Sequence, residues 1–200
     1  MRLLIATTNA NKVREIRELL AGVACRLVTL DAYPAIAAPE ETGRTFEENA
    51  RQKALYYAAA TGDLTVAEDS GLEIDALGGA PGVESARLGG VDTSYPDKFS
   101  MLYDALRAIG RSEDDNAARF VCAVALAEGE RVAFEARGTV EGRIAREPKG
   151  ESGFGYDPIF FYPPYDRTLA ELTQAQKSVV SHRGAAFRKL REFLLGTDTA

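Results

Sequence analysis

Two adjacent acidic residues interrupt an apolar stretch of the chain and raise the first chemical question. Glu68 and Asp69 directly follow the apolar run at residues 64–67, and Ser70 and Gly71 come next. The run predicts a buried strand that ends at the acids, where a carboxylate costs free energy unless a partner pairs with it. The pair could hold Mg²⁺, or one carboxylate could accept a proton from an attacking water. A solvated strand end, with Asp69 and Ser70 in a turn, is the ordinary alternative.

Further carboxylates for such a site occur earlier in the chain. The candidates are Glu40, Glu41, Glu47 and Glu48. Thr45 and Glu48 also have the spacing of a capping box, so helix capping would explain Glu48 equally well.

A polar loop near the N-terminus has the position of an anion site. Residues 2–6 predict a short buried strand, and residues 12–21 predict a helix with one apolar face. The loop between them is Thr7, Thr8, Asn9, Ala10 and Asn11, and it ends at Lys12. Free backbone N–H groups and the helix dipole favour an anion at this point, and the lysine adds a positive charge. The loop lacks the glycines of a P-loop, so an ordinary polar turn is the alternative.

The segment SGFGYDP at residues 152–158 could receive a flat base. Phe154 or Tyr156 would lay a ring against it across the flexible Gly155, and Asp157 would accept hydrogen bonds from base N–H groups. A turn whose rings fill the core is the alternative.

Three donors follow near the predicted last helix: Lys177, His182 and Arg183. A lone histidine is more often structural than catalytic. The neighbouring arginine favours recognition of an anion or a carbonyl group.

The remaining pattern predicts a mixed α/β architecture. We expect a second strand at residues 26–30, helices beginning after Thr45 and at Ser94, a hairpin of strands at 118–127 and 131–144, a capping box at Thr168–Glu171, and a last helix capped by Ser181. The helix at Ser94 has Phe99, Leu102, Leu106 and Ile109 as its apolar stripe, and the last helix has Phe187, Leu190 and Leu194 inside.

Composition limits the class of protein. Two hundred residues with 46% hydrophobic content suit one domain, or two lobes in one chain. Thirty acids against 24 bases give a net charge of -6, which argues against nucleic-acid binding. No apolar run approaches the ~18 residues that cross a bilayer, so we expect a cytoplasmic protein without a membrane partner. Cys25 and Cys122 are expected to be small core residues.

Six segments occur in the order and spacing of a known family: TTNANK, EETGRTFEENARQKA, EDSGLEIDALGGAPGVESAR, GFGYDPIF, AELTQAQKS and SHRGAA. In these segments the chain resembles the inosine triphosphate pyrophosphatases, the non-standard purine NTP pyrophosphatases, in their bacterial dITP/XTP form. The resemblance implies an α/β fold of two lobes around an elongated mixed β-sheet, with flanking helices and a central nucleotide cleft. It places this domain at residues 1–196, and we expect residues 197–200 to be a disordered tail.

The resemblance also implies a reaction and a cofactor. The reaction is hydrolysis of dITP, ITP, XTP or dXTP between the α- and β-phosphates, which yields the nucleoside monophosphate and pyrophosphate. Mg²⁺ is the implied cofactor, and a homodimer is the implied assembly. Two alternatives are a nucleotide-binding sensor without turnover, and a pyrophosphatase of similar fold for modified pyrimidine or methylated nucleotides.

Roles are carried over by position. Thr7 to Lys12 would hold the triphosphate, Asp69 would be the catalytic acid and a metal ligand, and Ser70 would contact substrate. A glutamate would also bind the metal, either Glu40 or Glu41. The base and its neighbouring phosphate would be held by Phe154, Gly155, Tyr156, Asp157, Lys177, His182 and Arg183. Glu68 stands where many relatives have aspartate, and its role stays open.

Overall fold

The computed structural model describes residues 2–110 and 116–197. Within these ranges it has seven strands and five α-helices. The strands are β1 (Arg2–Ile5), β2 (Arg26–Thr29), β3 (Leu64–Ile74), β4 (Ala117–Glu128), β5 (Arg131–Ile144), β6 (Phe160–Tyr162) and β7 (Arg167–Thr168). The helices are α1 (Ala10–Leu19), α2 (Phe46–Thr61), α3 (Tyr95–Ala108), α4 (Gln174–Val180) and α5 (His182–Thr197).

All seven strands belong to one sheet with the order β2-β1-β3-β4-β5-β6-β7. Strand β1 runs parallel to β2 and β3, with Leu3 opposite Leu27 and Leu64, whereas β6 is antiparallel to β5 and β7. The sheet is therefore mixed, and the predicted α/β fold class is confirmed. The hairpin predicted from residues 118–144 is present as β4 and β5.

The chain divides into two compact units. The first unit comprises residues 1–70, 122–138 and 182–200, and the second comprises residues 71–121 and 139–181. The single two-lobed domain over residues 1–196 stays a prediction. Residues 198–200 of the predicted tail lie outside the described residues, while Thr197 is the last residue of α5.

Each unit has its own apolar core. The core of the first unit includes Leu3, Ile16, Val66, Phe187 and Leu190, so the last helix packs as predicted. The core of the second unit includes Leu72, Phe99, Leu102, Phe160 and Leu169. No helix within residues 2–110 and 116–197 is long and apolar enough to cross a membrane.

Strand β3 differs from the prediction in a way that matters for chemistry. It does not end at the acids but continues through Glu68, Asp69 and Ser70 to Ile74. Glu68 is 2% exposed and Asp69 is 7% exposed, so the predicted strand end and its solvated alternative are both wrong. The strand can continue through the two acids because cationic side chains from other elements pair with them, as described below.

Helix starts follow the polar residues that precede them. Helix α1 begins at Ala10 and not at Lys12, because Asn9 caps it by accepting from the N–H groups of Asn11 and Lys12 at 3.0 and 3.3 Å. Ser94 caps α3 as predicted, and the capping box at Thr168 starts a short 3₁₀ helix. Ile109 was wrongly placed on the buried stripe of α3, since it lies beyond the helix and is 51% exposed.

Helix α2 has the predicted N-terminal cap with one difference. The hydroxyl of Thr45 accepts from the N–H of Glu48 at 3.1 Å, but the Glu48 carboxylate accepts from the N–H of Arg44 at 2.7 Å and not from that of Thr45. The helix ends at Gly62, which has φ +72° and donates to the carbonyl of Ala58. These caps fix where α2 starts and stops.

Removing the cap of α2 should lower stability without changing the fold. We expect Thr45→Ala to reduce the free energy of unfolding by about 1 kcal/mol, because one N–H group of the first turn loses its acceptor. Urea denaturation followed by circular dichroism measures this change. Thr45→Ser keeps an acceptor and should stay close to the unmodified protein, and equal losses in the two variants would contradict the capping role.

Candidate active site

The loop between β1 and α1 is organised by its own side chains. Thr7 accepts from the N–H of Asn9 at 3.2 Å, and Asn9 in turn caps α1. Thr8, Asn9 and Ala10 are exposed, and the first turn of α1 carries no acidic residue. An exposed helix N-terminus without a nearby carboxylate attracts anions. The triphosphate role of this loop stays a prediction.

Lys12 connects this loop to the acids of β3. Its Nζ lies 2.6 Å from Oε1 of Glu68, whose side chain is fully buried. Arg183, at the start of α5, approaches the same carboxylate, with its Nη2 3.4 Å from Oε1. One buried carboxylate is therefore shared by two cations from two different helices.

Arg183 is itself held by several partners. Its Nη1 donates to Oε2 of Glu15 at 2.7 Å, and its Nη2 donates to the hydroxyl of Ser70 at 3.0 Å. The guanidinium and both carboxylates are buried. The predicted substrate residues Lys12, Ser70 and Arg183 are thus brought together around Glu68, and Glu15 joins them.

Charge pairing outweighs burial at Glu68. Burial alone would raise the pKa of this carboxyl, but the charges of Arg183 and Lys12 hold the pKa well below its usual range. The thiol of Cys122 lies 3.3 Å from Oε2, and burial together with the negative charge of Glu68 raises the thiol pKa well above its usual value. Cys122 is therefore a neutral core residue, as predicted, while Cys25 is only half-buried.

Asp69 points to a different set of partners, on α2. Asn49 donates from Nδ2 to Oδ2 of Asp69 at 2.9 Å, and the N–H of Ser70 donates to Oδ1 at 3.1 Å. Lys53 Nζ lies 3.7 Å from Oδ1 and 2.5 Å from Oε1 of Glu41. Lys53 therefore lies against two carboxylates, one on β3 and one on the loop before α2.

The charge balance at Asp69 differs from that at Glu68. Burial raises the pKa of Asp69, Lys53 and the hydrogen bond from Asn49 lower it, Glu41 raises it, and the net pKa is raised. Burial lowers the pKa of Lys53, but the negative charges of Asp69 and Glu41 raise it by more. The pKa is therefore raised, and the ammonium stays charged. Adjacent residues of one strand therefore have opposite pKa shifts, which is a pattern found at active sites.

The glutamates considered as second carboxylates separate clearly. Glu41 is half-buried and bound to Lys53, whereas Glu40 is exposed. Glu47 forms an ion pair with Arg137 at 2.7 Å, and Glu48 serves the start of α2. Of the four, Glu41 is the one that shares a partner with Asp69.

A divalent cation fits the donor set of Asp69 and Glu41. No group of three or more His, Cys, Asp or Glu side chains suited to a metal occurs within residues 2–110 and 116–197. Mg²⁺ does not require one, because it commonly takes one or two carboxylates and completes its shell with water and phosphate oxygens. Two carboxylates that already share the ammonium of Lys53 form a place where positive charge is favoured.

The second unit holds the other predicted cluster. Oδ2 of Asp157 accepts from the N–H of Phe154 at 2.8 Å and from Lys177 Nζ at 2.6 Å, and both charged side chains are buried. Lys177 Nζ also lies 4.7 Å from the centre of the Phe154 ring. Gly153 is required here, since its φ is +76° and a Cβ would lie 2.2 Å from Oδ2 of Asp157. The loop is therefore built around Asp157.

The two rings of this loop have different surroundings. Tyr156 is 3% exposed and donates its hydroxyl to the carbonyl of Ser85 at 2.7 Å, whereas Phe154 is half-buried. The ring of Phe154 is therefore more accessible to a ligand than that of Tyr156. His182, the other predicted residue of this group, belongs to the first unit at the start of α5 and is buried.

Sequence reasoning missed Glu15, Asn49 and Lys53. Asn49 and Lys53 both lie in the segment EENARQKA, four residues apart in a predicted helix, so they share one helix face. That spacing was the available signal. Glu15 offered none, because its partner Arg183 is 168 residues away in the chain.

These features define an α/β protein with a polar loop that caps α1, two adjacent buried acids whose pKa values shift in opposite directions, and a loop that carries Phe154 and Tyr156. Residues 3–193 match the model of the Ham1 family, and the chain belongs to that family. This match, together with the named relatives described next, confirms the predicted family.

Full-length relatives give the name of the activity. The chain is 46% identical over 197 residues to the dITP/XTP pyrophosphatase of Desulforamulus reducens, covering 97% of this chain and 96% of that one. It is 50% identical over 188 residues to the dITP/XTP pyrophosphatase of Gloeobacter violaceus, covering 94% and 91%. A solved Ham1 protein from Coxiella burnetii has a TM-score of 0.91 at 39% identity and covers 98% of this chain and 99% of that one.

Glu68 should contribute to stability in a pH-dependent way. We expect Glu68→Gln to lower the free energy of unfolding at pH 7 by about 3 kcal/mol, because Lys12 and Arg183 lose a buried counter-charge. The pKa of Glu68 is depressed in the folded protein, so its contribution is present above the ordinary glutamate pKa and is lost as pH falls toward the depressed value.

Urea denaturation of both proteins between pH 7 and pH 3 measures this difference. The gap between unmodified and variant protein should narrow as the pH falls. Glu47→Gln, which breaks the exposed pair with Arg137, is the control and should cost less than about 1 kcal/mol. A gap that widens toward acid pH would contradict the assignment.

Proposed function

We propose that this chain hydrolyses non-standard purine nucleoside triphosphates, namely dITP, ITP and XTP or dXTP, between the α- and β-phosphates. The products are the nucleoside monophosphate and pyrophosphate. The names of the full-length relatives support this nucleoside-triphosphate pyrophosphatase activity. The observation that carries the proposal is the buried Asp69 carboxylate, held by Asn49 and Lys53 in the same unit as the anion loop.

Phosphate binding is assigned to Thr7–Lys12. The N-terminus of α1 is exposed, its helix dipole favours phosphate oxygens there, and Lys12 supplies a positive charge. Lys12 is held at Glu68 by a 2.6 Å ion pair, so its ammonium is placed before substrate arrives. Such preorganisation lowers the reorganisation needed when charge develops on the phosphates.

Proton transfer is assigned to Asp69. Its raised pKa makes the carboxylate a stronger proton acceptor than an ordinary aspartate. Asn49 and the N–H of Ser70 fix the orientation of the carboxylate toward an attacking water. Lys53 keeps positive charge beside it throughout, because its own pKa is raised.

A divalent metal ion, which we propose to be Mg²⁺, would be held by Asp69 and Glu41. When bound there, it would offset negative charge on the phosphate oxygens. We assign this position to Glu41 and not to Glu40, because Glu41 shares Lys53 with Asp69 while Glu40 is exposed.

Base recognition is assigned to Phe154–Asp157, Lys177, His182 and Arg183. A half-buried ring at Phe154 suits stacking on a purine. Donors that meet the 6-oxo group of hypoxanthine or xanthine would be left unpaired by adenine, which costs about 1 to 3 kcal/mol per buried donor. Homodimer assembly is proposed on the family resemblance, and a cytoplasmic location stays the prediction made from the sequence.

A substrate panel tests the proposed activity directly. Purified protein is incubated with dITP, XTP, GTP and ATP, with and without Mg²⁺, and the products are separated. We expect rapid release of pyrophosphate and monophosphate from dITP and XTP only when the metal is present. Orthophosphate with nucleoside diphosphate as products, or equal rates on ATP, would overturn the proposal.

Asp69→Asn separates an enzyme from a nucleotide sensor. The amide has nearly the same shape but cannot accept the proton as a carboxylate does, so we expect kcat to fall by about 100-fold or more. Calorimetric titration with dITP should still show binding. Unchanged turnover would remove Asp69 from the chemistry, and turnover absent from both proteins with binding retained would favour the sensor.

A further inference from the structure

Tyr95, the first residue of α3, lies against the loop assigned to the base. Its ring meets the ring of Tyr156 edge to face, with centroids 5.3 Å apart and planes at 88°. Phe99, one turn later on α3, packs on the same tyrosine with centroids 6.0 Å apart. The start of α3 thus bounds the Tyr156 ring with two aromatic side chains, and neither belongs to the six segments that carry the family resemblance.

Tyr95 also faces the backbone of Gly155. A Cβ built on Gly155 would lie 3.6 Å from the hydroxyl of Tyr95 and 3.7 Å from its Cζ. Apart from atoms of residues 154–156, these are the nearest atoms to that position, so Tyr95 forms the wall on this side of the loop. Burial and the negative charge of Asp157 both raise the pKa of the Tyr95 hydroxyl, which therefore stays neutral.

Lys98 supports the ring of Tyr95 in turn. Its Nζ lies 4.9 Å from the centroid of that ring and donates to the carbonyl of Ala86 at 2.6 Å. The neighbouring Ser85 carbonyl accepts the hydroxyl of Tyr156. Tyr156 is thus bound directly to Ser85, and Tyr95 is linked to Ala86 through Lys98, while the two rings contact each other.

We propose that Tyr95 is a positioning residue that fixes the loop Phe154–Asp157 for base binding. This inference rests on the proposed function of that loop. Tyr156 is attached at its hydroxyl end to Ser85, and Tyr95 contacts its ring, so the two contacts together set the path of Gly155 and Phe154. Without the Tyr95 ring, the Tyr156 side chain keeps its hydrogen bond but gains freedom to tilt.

The expected signature is a change in substrate binding and not in chemistry. In Tyr95→Ala, KM for dITP should rise about tenfold, the size of one lost aromatic contact, while kcat stays within about twofold. Tyr95→Phe keeps the ring and should restore the KM of the unmodified protein. Tyr95→Leu keeps apolar volume without an aromatic edge and should resemble alanine, which provides a second variant if alanine folds poorly.

Tyr165 offers a matched control within the same unit. It is 40% exposed against 37% for Tyr95, and its ring meets Tyr162 edge to face with centroids 5.4 Å apart. Tyr165→Ala should lower the thermal midpoint to a similar extent as Tyr95→Ala but leave KM for dITP unchanged. General loosening of the unit would instead raise KM in both variants.

The outcomes distinguish this inference from the function on which it rests. A raised KM confined to Tyr95→Ala and Tyr95→Leu, with rescue by phenylalanine, supports the positioning role. An unchanged KM in both variants, or an equal rise in Tyr165→Ala, overturns that role while the activity stands. Failure of the unmodified protein to cleave dITP overturns the proposed function and this inference together.

Discussion

The ion pairs of Glu68 are the constraint on which the first unit depends. A fully buried carboxylate in the middle of a strand is tolerated only because Lys12 and Arg183 bring two cations to it. Those cations come from the starts of α1 and α5, so the same contacts that neutralise Glu68 also place both helix starts beside β3. Ser70 is drawn into the set by its bond from Arg183.

The two neighbouring acids of β3, Glu68 and Asp69, have different partners and different pKa shifts. Side chains of adjacent strand residues leave the sheet on opposite faces. Glu68 therefore meets α1 and α5, while Asp69 meets α2 and its residues Asn49 and Lys53. The positive charges of Arg183 and Lys12 lower the pKa of Glu68. The charge of Asp69 is less fully neutralised, and its pKa is raised. A single strand thereby supplies two buried acids whose pKa values are shifted in opposite directions.

The sequence predicted much of this fold because its signals are local. The caps at Asn9, Thr45 and Ser94, the hairpin, and the apolar stripe of the last helix all depend on residues within one element. The end of β3 was mispredicted because it depends on a residue that is distant in the sequence. The partner that makes Glu68 tolerable in a buried strand is Arg183, 115 residues away, and no local pattern reveals such a pairing.

The site was predicted unevenly for the same physical reason. Residues in glycine-rich or polar loops stand out by type, and the candidate loops at residues 7–12 and 154–157 were chosen in this way. Lys53 and Asn49 sit inside a regular helix, where polar residues ordinarily face solvent, so their composition carries no sign of burial. Their four-residue spacing places them on one helix face, but what that face contacts becomes visible only when Asp69 lies opposite them.

Asn49 shows how direction can be built into a site. Its Oδ1 accepts from the N–H of Gly43 at 2.8 Å, while its Nδ2 donates to Asp69. One end of the amide must accept and the other must donate, so the group has a single workable orientation. Deamidation to aspartate would place a second carboxylate against Asp69 and turn an attraction into a repulsion. The neutral amide is therefore required at this position by its charge and not by its size, because a carboxylate of nearly the same bulk would repel Asp69.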